Sequence, residues 1–213
     1  MKYNFLIDSY ATERVKVVSV WSMFRDDELR VRPNAPSNPP GSPMDARGRS
    51  VHEQMVHQCV SEDFWFRTIL GIDVNAPPLP PRETRWEFMA QYAEDSARRL
   101  AVLQKAAEPW WEELVSFFNV GRSRAWVMTR RMTHTAQHRG QLLAMLRMLG
   151  HDLHSTYGPT ADTGGLMQNH APTIYAYPSL EALLHAEKNG GAKSVLPPRT
   201  DRPVTERPSG VTS

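Results

Sequence analysis

Seventeen prolines lie almost wholly outside four long stretches of helical apolar periodicity, and this segregation constrains the fold more than any other feature of the chain. The prolines gather at 33–43, 77–81 and 159–208, and the periodic stretches cover residues 4–24, 50–70, 83–108 and 123–150. In the first stretch Phe5, Val15, Val18, Trp21 and Met23 are among the apolar positions. The second opens on Ser50 with Glu53 three residues on, the spacing of a capping box, and Gly71 closes it. The third carries Trp86, Phe88, Met89, Tyr92, Ala97, Leu100 and Leu103, and Pro109 discourages its continuation. No alternating strand pattern and no internal repeat stands out.

Four long helices joined by loops of unequal length predict an all-α four-helix bundle over residues 1–160. The loop at 25–49 is long enough for a crossover, so the first two helices need not be tight antiparallel neighbours. Residues 161–213 read as an irregular, Pro/Gly-rich C-terminal extension with one short helix near 179–188. The last two dozen residues, with Pro197, Pro198, Pro203 and Pro208, read as an arm or a tail without a packed core.

The formal charge of +2 argues against a nucleic-acid partner, which calls for a clustered basic face. No run of residues reaches the roughly 18 apolar positions of a membrane span, and residues 1–20 lack the apolar centre of a signal peptide. Cys59 is the single cysteine, so no internal disulfide can form and a cytoplasmic location is expected.

The segment Thr133-His134-Thr135-Ala136-Gln137-His138-Arg139-Gly140-Gln141 carries the most chemistry. Residues four apart on a helix stack on one face, so the two imidazoles can meet one ion. Val127, Leu142, Met145 and Leu149 continue their stripe, which turns both rings into the bundle. Two desolvated imidazoles side by side need hydrogen bonds or a divalent cation, and a pair of hydrogen-bonded core histidines is the plainer reading of an HxxxH alone.

That segment and His57-Gln58-Cys59-Val60-Ser61-Glu62-Asp63-Phe64-Trp65 on the second helix resemble the two signature regions of DinB/YfiT-like proteins. The resemblance covers roughly residues 3–160, helix order included. It implies a metal triad of His57, His134 and His138. Three His with an open coordination position is the ligand set of a catalytic zinc site, and nickel suits imidazole equally.

Periodicity on the second helix leaves the third ligand open. Its densest apolar stripe is Val51, Met55, Cys59, Phe66 and Ile69, to which His52 lies closer than His57. His151 and His154 are further alternatives. The run His52-Glu53-Gln54-Met55-Val56-His57 is not HExxH, because that motif needs its second His at position 56. Glu62 is a candidate acceptor for an imidazole N–H, Arg139 a candidate partner for an acid or a substrate anion, and Tyr157 a residue able to reach the metal pocket. Cys59 reads as a small core residue, and Trp65, Trp110, Trp111 and Trp126 as core or interface aromatics.

Characterised members of the resembled family include thiol-dependent S-transferases and isomerases. The resemblance therefore implies a metal-dependent enzyme acting on a small-molecule substrate, with a low-molecular-weight thiol as nucleophile. Hydrolysis by water and a non-catalytic, stress-related binding bundle are the alternatives. A nearly all-round apolar second helix and six Trp also predict a homodimer.

Overall fold

The computed structural model describes residues 2–33 and 48–199. Four long helices form the bundle: α1 (Asn4–Ser22), α2 (Val51–Phe64), α3 (Arg85–Leu103) and α5 (Arg124–Met148). Between α3 and α5 stand a short α4 (Glu108–Glu112) and a hairpin of β1 (Leu114–Phe117) and β2 (Val120–Ser123); α6 (Leu180–Asn189) follows the bundle. Helices α2, α3, α5 and α6 start where a side chain caps them. Ser50 Oγ accepts from Glu53 N–H while the Glu53 carboxylate returns to Ser50 N–H, and Thr84, Ser123 and Ser179 cap α3, α5 and α6.

Helix α1 packs on α3 and α5, while α2 packs on α5 and α3, so α1 and α2 lie diagonally across the bundle. That arrangement is what a crossover after α1 permits. The chain turns at Asp26–Glu28 and returns to α2 through Val51 N–H to Val31 O and His52 N–H to Leu29 O. The middle of the crossover, residues 34–47, lies outside the described residues.

Two apolar clusters fill the interior. One holds Val17, Trp21, Phe24, Met55, Phe88, Leu142 and Leu146; the other holds Leu6, Ile7, Phe66, Leu70, Leu103, Trp111 and Met128. Between them, at mid-height on all four helices, lies a polar layer of Tyr10, Gln58, Glu62, Tyr92, Arg99, Arg131 and Thr135. Glu62, 1% exposed, accepts from Tyr10 (2.7 Å), Tyr92 (2.8 Å) and Gln58 (3.0 Å), with the Arg99 and Arg131 guanidiniums at 3.5 and 3.6 Å. A buried carboxylate is tolerable because its lone pairs and its charge are both answered.

The structure corrects several boundaries. Residues 83–108 do not form one helix: α3 stops at Leu103, and Pro109 sits in the first turn of α4, where its missing N–H costs nothing. The hairpin overturns the expectation of no strand. Its turn is built on Phe118 (φ 48°) and Asn119 (φ 68°), so the usual glycine signal is absent, and four-residue strands are too short for alternation to register. Residues 50–70 do form one continuous helical stretch, but Trp65–Leu70 adopts the wider π form before Gly71 (φ 75°) ends it.

The C-terminal extension does not stand apart from the bundle. Ala176, Tyr177 and Leu183 join the first apolar cluster, and α6 rests on α1 and α3. Its helix spans Leu180–Asn189, and Gly190 (φ 71°) closes it. The tail at 200–213, with Pro203 and Pro208, lies outside the described residues. No helix among the described residues is long and apolar enough to cross a membrane.

Candidate metal centre

The seam between α2 and α5 is polar along its length. Gln54 Nε2 donates to Gln141 Oε1 (3.0 Å), Gln58 Nε2 to Thr135 Oγ1 (3.1 Å), and Arg131 Nη1 to Ser61 Oγ (2.9 Å). His57 enters this seam from α2 and meets His134 and His138 from α5. Its ring centroid lies 5.3 Å from that of His134 and 4.6 Å from that of His138, and the last two are 4.6 Å apart. One ring nitrogen from each of the three lies within 4.8 Å of the others.

Hydrogen bonds fix the tautomers. Arg131, a pure donor, faces His134 Nδ1 at 3.4 Å, so His134 Nε2 carries the proton and donates to His138 Nε2 at 3.2 Å. His138 then holds its own proton on Nδ1 and donates it to Gln141 Oε1 at 2.9 Å. His57 Nε2 is left buried with no hydrogen-bond partner. A buried orphan nitrogen beside two other imidazoles is what a metal ligand looks like without its ion. The 3.2 Å between His134 and His138 is also close to the roughly 3.4 Å that two nitrogens of a tetrahedral zinc site would span. An ion held there would displace the proton from His134 Nε2, and the 3.4 Å Arg131 contact to Nδ1 would then have to loosen.

The electrostatics favour neutral rings. Burial, then Arg49, His138 and Arg131, lower His57 to about 4; burial, then Arg131 and the two other histidines, lower His134 to about 3. His138 is lowered as well, chiefly by burial, against the opposing bond to Gln141. Neutral imidazole is the form that binds metal. Trp65 stacks on His134 (5.8 Å between centroids, 17° between planes) and forms one wall, with Phe117 edge-on to it at 5.0 Å.

The other sequence candidates lie elsewhere. His52 faces Glu83 (2.7 Å) and Arg30 (3.3 Å), His151 faces Glu28 (2.8 Å), and His154 meets Ser194 O (2.8 Å). Glu62 belongs to the polar layer, and its partners there are phenols, Gln58 and guanidiniums rather than an imidazole. Arg139 and Tyr157 meet against α1: both bond Glu13 there, and Tyr157 does not reach the histidines. Arg139 directly follows His138 in sequence, yet about 100° of helix turns it toward α1. Cys59 is buried in the apolar cluster with its thiol pushed up by that burial.

Sequence reasoning missed Gln141, Gln54 and Arg131 as site residues. The available signal was position, since Gln141 follows His138 by three and Arg131 precedes His134 by three on one helical face.

The family model described as the DinB family matches residues 40–170, more than half of the chain. The chain belongs to the DinB family. Solved structures agree on the fold of this DinB-family chain. A DinB-like protein from Bacillus cereus ATCC 10987 is similar to it with a TM-score of 0.58 and 14% identity, covering 71% of this chain and 95% of its own. A DinB-like protein from Bacillus subtilis, YjoA, gives a TM-score of 0.52 and 12% identity, covering 70% and 94%. No curated protein matches the chain. His57, His134 and His138 all fall inside the matched family region.

Proposed function

We propose that this DinB-family protein is a metal-dependent enzyme that holds zinc or nickel on His57, His134 and His138 and catalyses thiol-dependent S-transfer. The orphaned His57 Nε2, buried against the HxxxH pair, carries the metal reading. When bound, such an ion keeps its full charge and lowers the pKa of a nucleophile at its open position. The chain's own residues supply the rest. Gln141 holds His138 in the tautomer that leaves Nε2 facing the site, and Trp65 fixes the plane of the His134 ring. Arg49 and Arg131, both close enough to depress the imidazoles, favour an anionic nucleophile or substrate there.

A thiol is favoured over water because Glu62, the carboxylate at this level of α2, is already engaged by four hydrogen-bond donors and the Arg131 guanidinium at 3.6 Å, and so is poorly placed to act as a general base. A thiol needs less help, being the stronger acid. In the transfer, sulfur bonds to the electrophilic carbon, the leaving group departs with its electron pair, and the thiol proton passes to solvent.

The test is product formation from a panel of electrophiles with metal-free and metal-loaded protein, with and without physiological thiols. Turnover that needs both metal and thiol, and that Cys59→Ala largely retains, supports the reading. Equal metal-dependent rates without thiol would replace it with a hydrolase. Metal binding without turnover across the panel would leave a binding protein.

A further inference from the structure

Across the bundle from the histidines, α1 and the C-terminal extension enclose a cleft of about 440 Å³. Its volume falls within the range of small-molecule pockets, roughly 300–1,000 Å³. Ala11, Val15 and Leu183 line it with carbon, and Tyr157, Tyr175 and Tyr177 bring three phenol rings to it. Tyr157 and Tyr175 are more than half exposed; cations already lie over the Tyr157 ring, so Tyr175 offers its face and Tyr157 its edge to a ligand.

The charge around the cleft is unbalanced. Lys16 is the charged residue among those lining it, with its ammonium 3.5 Å from the Tyr157 ring centroid and 2.8 Å from Glu13. Glu13 must also answer Arg139 and accepts from Tyr157 at 2.9 Å, so two cations share one carboxylate. Behind Tyr177, Glu187 pairs with Arg85 (2.6 Å) and Lys193 (2.8 Å), and Arg85 also pairs with Asp26 (2.6 Å), so that group is balanced. Glu181, at the start of α6, turns its carboxylate to its own backbone and to Ser179. The wall formed by Lys16, Glu13 and Arg139 therefore carries one net positive charge beside an aromatic, largely apolar space. An ammonium has three donors; Glu13 takes one and the Tyr157 face another, which leaves one for a ligand.

We infer that this cleft is a second small-molecule site, separate from the histidine centre, that takes an aromatic carboxylate: the ring among Tyr157, Tyr175 and Tyr177, the anion on Lys16. The inference does not depend on the metal or on turnover.

The test uses the full chain and the fluorescent aromatic anion 1-anilinonaphthalene-8-sulfonate, displaced by 1-naphthaleneacetate or by its neutral isostere 1-naphthaleneacetamide. Saturable binding at one site per chain is expected, with the acid displacing the probe at about tenfold lower concentration than the amide, the ratio a single charge-assisted hydrogen bond supplies. Lys16→Gln should remove that preference while leaving the amide unchanged. Ala11→Trp should fill the cleft and abolish binding, and Tyr175→Ala, a milder change, should weaken acid and amide alike. Far-UV circular dichroism confirms that each variant is folded. His134→Ala/His138→Ala should bind as the parent does. The inference is overturned if folded Ala11→Trp still binds the probe with Tyr175→Ala unaffected, if the histidine variant loses binding, or if acid and amide compete equally in the parent.

Discussion

His138 Nδ1 lies 2.9 Å from Gln141 Oε1, and this contact leaves Nε2 of the same ring facing His134 at 3.2 Å. A glutamine outside the HxxxH motif thus holds the motif's second imidazole with Nε2 turned to the other ring. Gln141→Ala is expected to weaken zinc binding about tenfold, as loss of a supporting hydrogen bond commonly does, while leaving the fold intact. Competition titration with a chromogenic chelator measures it; unchanged affinity would show that Gln141 has no orienting role.

The triad itself is separable from its sequence rivals. His57→Ala, His134→Ala and His138→Ala should each lower zinc affinity by about a hundredfold or more, whereas His52→Ala, at a residue held by Glu83 and Arg30, should not. Metal content after dialysis decides between them. Full affinity in His57→Ala with loss in His52→Ala would reassign the third ligand.

Because the folded values of His57 (about 4) and His134 (about 3) lie below the ordinary 6.5, protonation favours the unfolded chain. The stability contributed by keeping these rings neutral is complete above about pH 6.5 and is lost as pH falls toward their folded values. The thermal midpoint of metal-free protein should therefore fall between pH 7 and pH 4.5, and His57→Gln/His134→Gln should show a shallower fall over the same window. Parallel slopes would mean that other groups account for the acid sensitivity.

Glu62 answers two buried guanidiniums and two phenols at once. Removing it in Glu62→Ala strands Arg131, leaves Arg99 with Asp63 alone, and is expected to cost about 3–5 kcal/mol of stability in urea denaturation. A cost under about 1 kcal/mol would show that water replaces the carboxylate in the layer.

The hairpin presents Leu114, Phe118 and Val120 to solvent, with Phe64 beside Phe118 at 6.4 Å. A homodimer through this face is expected, with Phe118→Asp reverting it to a monomer. Light scattering at micromolar concentration checks it, and a parent mass near 24.2 kDa would remove the dimer.

Local rules acting over a few residues were enough to read much of this chain from its sequence. Ser50 and Glu53 cap α2 because the capping box needs only three residues of spacing, and His134 and His138 share a face because helical geometry requires it. The bundle followed from four apolar periodicities interrupted by proline. The family resemblance pointed to His57, but periodicity could not place it rather than His52 beside the HxxxH pair, because periodicity locates the apolar faces of a helix, and α2 meets α5 through Gln54, His57, Gln58 and Ser61. Which polar face of α2 turns toward α5 is fixed by how the helices rotate against one another, and that rotation balances packing on several neighbours at once. The same reason separates Arg139 and Tyr157 from the histidines. Adjacency in sequence placed Arg139 beside His138, but the turn of the helix, and the position of Glu13 on α1 opposite it, directed the Arg139 guanidinium to α1 instead of to the other two histidines.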